Sequence, residues 1–85
     1  MTEEKIGTVM HFFAKPAVAA IRIDEGSLAV GSAIHIKGHT TDLYHRVDSM
    51  QVDHKTVETA APGDLVGIRV PEKVREHDEV FKVTE

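Results

Sequence analysis

The feature that most constrains this chain is the regular fall of its turn signals. Lys15-Pro16, Asp24-Glu25-Gly26, Val30-Gly31-Ser32, Lys37-Gly38-His39, Ala61-Pro62-Gly63-Asp64 and Val70-Pro71 divide it into short segments. Glycine and proline at such points favour turns and interrupt both helices and central strands. The segments between them are rich in β-branched and aromatic residues, and no window holds the i, i+3, i+4, i+7 apolar spacing of a long helix. Short strands between closely spaced turns define an all-β sandwich or barrel. Strands are predicted at about Ile6–Ala14, Ala17–Asp24, Ala33–Gly38, Tyr44–Asp53, Asp64–Val70 and Glu79–Thr84, with at most one helical turn over Lys55–Ala60.

Alternation assigns the faces. Ala19, Ile21 and Ile23 share one side of a strand and Arg22 the other; Ile34 and Ile36 alternate with His35 and Lys37; Val66, Ile68 and Val70 alternate with Leu65, Gly67 and Arg69. Half-buried strands of this kind predict a small six- or seven-stranded antiparallel barrel with Ile21, Ile34, Ile36, Val47, Val66 and Ile68 inside. The stretch from Tyr44 to Val52 departs from period two, because Val47 and Met50 are three apart and Val52 follows. A β-bulge near Ser49 is the expected remedy.

The 85 residues fit one domain, with a core from about residue 6 to residue 83 and no cysteine to reinforce it. The N-terminal Met1-Thr2-Glu3-Glu4-Lys5 is acidic, unlike a secretory leader, and no apolar run approaches the ~20 residues of a membrane-spanning helix. Cytoplasmic residence without membrane attachment is expected. Fourteen acidic residues against ten Lys and Arg give a formal charge of −4, which offers no general attraction for phosphates.

The chemistry-bearing residues point away from catalysis. Gly38-His39-Thr40-Thr41 lacks the lysine of a phosphate-binding loop, and Ala33 stands where that loop needs its first glycine. Neither GTP nor any other cofactor is expected. The histidines His11, His35, His39, His45, His54 and His77 form no H-E-x-x-H, and the spacing of four between His35 and His39 gathers ligands only on a helix. A histidine-based metal-dependent hydrolase is the alternative of a different class, and exposed or hydrogen-bonded histidines on the outer face are the expectation. No serine lies in G-x-S-x-G. His11-Phe12-Phe13 and Tyr44-His45-Arg46 are the suggestive surfaces. Consecutive aromatics on a strand point to opposite faces, so one of Phe12 and Phe13 faces outward, covered by the segment around Phe81 or presented to a partner. Phe12, Phe13, Tyr44, Arg46 and Lys37 are the expected interaction surface.

Several pieces share an order with a known family. Ile6-Gly7-Thr8-Val9, Asp24-Glu25-Gly26-Ser27-Leu28-Ala29-Val30-Gly31-Ser32, Ala33-Ile34-His35-Ile36-Lys37-Gly38, Arg46-Val47-Asp48-Ser49-Met50-Gln51 and Val57-Glu58-Thr59-Ala60-Ala61-Pro62-Gly63-Asp64-Leu65-Val66-Gly67-Ile68 resemble successive strands and turns of the second, β-barrel domain of elongation factor Tu and related translation GTPases. Two turns depart from that pattern, with Gly31-Ser32 and His77-Asp78 where the family carries Gly-Asp. The chain as a whole resembles stand-alone translation-elongation-factor-like proteins, and a similar barrel ends some collagenase-like peptidases. The resemblance implies a non-enzymatic interaction module docking on a protein or ribonucleoprotein partner such as the ribosome. Its alternative is an accessory barrel acting with a collagenase-like peptidase. With the acidic balance, tight binding to isolated nucleic acid is not expected.

Overall fold

The computed structural model describes residues 2–84. Among them the chain forms ten strands and no helix: β1 (Thr2–Phe13), β2 (Val18–Ile23), β3 (Leu28–Ala29), β4 (Ala33–Lys37), β5 (Asp42–Arg46), β6 (Met50–Val52), β7 (Lys55–Val57), β8 (Thr59–Ala60), β9 (Leu65–Arg69) and β10 (Glu79–Thr84). Eight of these make one antiparallel sheet in the order β5-β4-β10-β1-β2-β9-β6-β7, while β3 and β8 pair separately. All six residues expected inside are buried, and with Ile6, Val9, Ile23, Leu28, Met50 and Val80 they belong to one apolar cluster. The sheet therefore curls around a single core, each such side chain contributing about 1.5–3 kcal/mol by leaving water. Its end strands β5 and β7 are not paired with one another, so among the described residues the ladder is open where a six- or seven-stranded barrel was expected.

The predicted strand Tyr44–Asp53 is two strands. β5 pairs with β4, and β6 pairs with β7 and meets β9 at Gln51 and Gly67. Between them Val47 is held by Val47 N–H to Ser32 O (2.8 Å) and Gly31 N–H to Val47 O (2.8 Å). Val47 and Met50 are both buried because the chain crosses from one end of the sheet to the other, and no bulge near Ser49 is needed. Lys55–Ala60, where at most one helical turn was allowed, is strand: β7 and β8. Asp53 and His54 both take positive φ (53° and 64°), the requirement of a two-residue hairpin, and return the chain as β7. β8 then pairs with β3 through Leu28 and Ala60.

Bulges do occur, in β1. Its register shifts against β10 between Lys5 and Gly7, and against β2 between Val9 and His11. These irregularities bend the longest strand around the core. The turns Ala29–Ser32, Ala61–Asp64 and Arg75–Asp78 share one design. In each the fourth N–H bonds the first carbonyl, at 3.0, 3.0 and 3.2 Å, and the third residue is left-handed: Gly31 (94°), Gly63 (95°) and His77 (73°). A positive φ at the third position is what a type II turn demands.

Candidate functional site

Opposed residues of an antiparallel pair share a face, so the register assigns the outer surface. One row runs Lys5, Phe81, His35, Tyr44 across β1, β10, β4 and β5; the next carries Glu3, Val83, Ala33 and Arg46. His35 is the centre of this face. Although it alternates with core residues as an outward position, it is only 6% exposed, because Tyr44 stacks on it with ring centroids 4.0 Å apart and planes 10° apart.

Both imidazole nitrogens meet carboxylates. Nδ1 lies 2.6 Å from Glu3 Oε1 and Nε2 2.5 Å from Asp42 Oδ1, while Tyr44 donates its hydroxyl to Glu3 Oε2 at 2.9 Å. A neutral imidazole has only one N–H to donate, so two carboxylate partners select the protonated ring. Burial opposes that charge, but the hydrogen bonds to Glu3 and Asp42 outweigh it and hold the His35 pKa above its ordinary value. The bond to His35, then that to Tyr44, lowers the Glu3 pKa, and donation to Glu3 raises that of Tyr44. The arrangement fastens the first residues of β1 to the β4–β5 edge.

The expected surface residues fall in two places. Lys37, Tyr44 and Arg46 stand together on β4 and β5. Tyr44 is 54% exposed, and Arg46 gives Nη1 to Gly31 O at 2.6 Å, bracing a turn. Phe12 and Phe13 lie at the other end of β1, opposite β2. Phe12 packs against the core, whereas Phe13 is 49% exposed and meets His11 edge-on at 4.5 Å. Phe81 does not cover that pair, since its β1 partner is Lys5 and its ring lies 6.2 Å from His35. Among the described residues no three His, Cys, Asp or Glu side chains form a metal-binding group; His35 and His45, on adjacent strands, sit on opposite faces of the sheet.

Sequence reasoning missed two groups. Glu3 and Asp42 were not assigned to a site, because nothing in the acidic start of the chain shows that β1 begins as early as Thr2. His45 lines a cavity with Asp48, Ser49, Arg69, Val70 and Pro71. The signal for His45 was available in the alternation of Leu43, Tyr44 and His45, which turns the histidine to the Leu43 side.

The fold and these surfaces define an all-β module rich in sheet, with a salt-linked outer face. No protein-family model matches the chain. It is 40% identical over 82 residues to an uncharacterized protease of Methanocaldococcus jannaschii, covering 95% of this chain and 20% of the protease. It is 33% identical over 78 residues to a collagenase of Porphyromonas gingivalis, covering 91% of this chain and 22% of the collagenase. The chain thus spans about a fifth of the length of the curated relatives it matches. Its fold is that of the crystal structure of the "C-terminal domain of Geobacillus thermoleovorans putative U32 peptidase", with a TM-score of 0.87 at 13% identity over 95% of this chain and 93% of that domain.

Proposed function

We propose that this domain is a non-catalytic accessory module that works with a collagenase-like peptidase. The observation that carries this reading is the pairing of 95% coverage of this chain with 20% coverage of a protease at 40% identity. A fold shared with a separately solved C-terminal peptidase domain supports it. We read the curled sheet as a barrel of the translation-factor domain II type, used here for docking in the cytoplasm.

Protein rather than nucleic acid is the favoured partner. The net charge is −4, and the outward cations are partly engaged: Arg22 pairs with Asp24 at 2.7 Å and Lys5 with Glu79 at 3.1 Å. Phe13 and Tyr44 are the aromatic anchors, since exposed rings dominate many protein interfaces. The test uses the catalytic portion of a collagenase-like peptidase from the same cell, truncated of the region this chain matches. Adding this chain in trans is expected to change its cleavage of gelatin peptides, while the chain alone cleaves nothing. Hydrolysis by the isolated chain, abolished by no contaminant control, would overturn the accessory role.

A further inference from the structure

The open ladder ends in β5 on one side and β7 on the other. An end strand carries a row of unpaired N–H and C=O groups, a template for a further strand. β7 has three residues, whereas β5 has five, contains neither glycine nor proline, and pairs with β4 without a break in register. The bonds at the two ends of β5 fix which of its backbone groups point outward. Gly38 donates its N–H to Thr41 O, and Val47 donates its own to Ser32 O, both at 2.8 Å. Both contacts continue the β4–β5 register. Leu43 and His45, in step with Thr41 and Val47, therefore bond β4, and the alternation of an antiparallel pair aims the N–H and C=O of Asp42, Tyr44 and Arg46 at the open side. Among the described residues, none of these three makes a backbone bond on that side. Their side chains are exposed, on the outer face that Tyr44 shares with His35.

The order Asp42, Tyr44, Arg46 is complementary to its own reverse. When β5 of a second copy runs antiparallel with Tyr44 opposite Tyr44 across a two-fold axis, Asp42 of each copy stands opposite Arg46 of the other. Residues opposed in this way exchange two N–H···O bonds when both aim at the shared edge, and opposite charges facing across strands attract. Other registers lose this match. A shift by one residue sets outward-aimed groups against residues that already bond β4, and a shift by two leaves Asp42 or Arg46 facing Tyr44. The charged groups retain capacity for the pair. Asp42 uses Oδ1 for His35 and Arg46 uses Nη1 for Gly31 O, while the second carboxylate oxygen and the remaining guanidinium N–H groups are further acceptor and donors.

We propose that the free edge of β5 recognises a second copy of this chain, pairing antiparallel with its β5 about Tyr44 and joining the two sheets into one. Phe13, at the other end of β1, lies outside this junction, so the dimer presents two such aromatic ends together. A junction of five residues a side belongs with the small interfaces below ~1,200 Å², which are weak. The dimer is accordingly expected to be half-formed at about 0.1–1 mM chain. Tyr44 is also an anchor in the docking proposed above, and the test separates the two occupants.

Sedimentation equilibrium of the full chain from about 20 μM to about 2 mM should show the average mass rising from that of one chain toward that of two. Amide hydrogen exchange at the two extremes gives the register. The N–H groups of Asp42, Tyr44 and Arg46 should exchange about threefold more slowly at the high concentration, while those of Leu43 and His45 keep the protection β4 already gives them. Arg46→Asp and Asp42→Arg should each remain single chains throughout, because each sets like charges opposite one another. An equimolar mixture of the two variants should form the dimer again, since every altered charge then faces its opposite in the other chain. Asp42→Arg also removes a partner of His35; should it fail to fold, Arg46→Asp and the exchange pattern of the parent still decide. A parent that stays a single chain at 2 mM, a dimer whose slowed amides lie elsewhere, variants that associate as the parent does, or folded variants that do not associate when mixed would overturn the proposal. Slowed exchange at the three amides only on adding the catalytic portion of the peptidase would overturn it in favour of a strand from that partner.

Discussion

His35 shows how one side chain changes meaning with its neighbours. By alternation it is an outward residue, yet a stacked tyrosine and two carboxylates make it a buried cation. Its folded pKa lies above the ordinary 6.5, so its contribution to stability is full below about that pH and is lost as pH rises through the raised value. The Glu3 pKa lies below its ordinary 4.5, so the contribution of Glu3 is full above about that pH and is lost as pH falls through the lowered value. The two together predict that the domain is most stable in mildly acidic solution and loses this increment on passing to alkaline pH. Thermal melts from pH 5 to pH 9 check it. His35→Gln should flatten the alkaline slope relative to the parent, and an identical slope in both would remove the charged pair from the account. Alternation alone does not disclose this site, since the partners come from residues 3 and 42, far apart in sequence and joined only by the β1–β10–β4–β5 order.

The elements were legible where one face of a strand is apolar. β2, β4, β9 and β10 lie close to their expected limits because their alternation and bounding turns act together. The crossing at Val47–Ser49 was not legible, since a change of strand partner and a bulge break period two alike. The Asp53–His54 hairpin was hidden because neither residue is the glycine that usually marks positive φ. Glycine itself has two uses here, and they predict different costs. At Gly63 an added Cβ meets nothing within 4 Å, so Gly63→Ala is penalised only by its φ of 95°, about 1–2 kcal/mol. At Gly7, within a bulge of β1, a Cβ would stand 2.2 Å from the backbone oxygen of Arg22. Backbone must then move, and Gly7→Ala is expected to be the more destabilising of the two, near or above the upper end of the ~1–3 kcal/mol of overpacking. Urea denaturation of both variants gives the order; a reversed order would contradict the assigned close approach.

At the scale of the molecule, one apolar cluster holds strands from every part of the chain. Ile36→Ala or Ile68→Ala, each fully buried, should cost about 2–5 kcal/mol, a large share of a small domain's stability; melting within a degree or two of the parent would refute the core. The all-β class and this core were legible because they depend on periodicity and turns. The partner was not, because the family resemblance admits both a ribonucleoprotein and a peptidase, and the match to a fifth of larger proteases, absent from the sequence itself, is what favours the second. The measurement that bears most directly on this reading is sedimentation velocity of this chain mixed with the truncated catalytic portion of its cell's collagenase-like peptidase, beside the same mixture with ribosomes. The account predicts a stoichiometric complex with the peptidase, weakened by Phe13→Ala or Tyr44→Ala, and free chain in the presence of ribosomes. Co-sedimentation with ribosomes and none with the peptidase would contradict it.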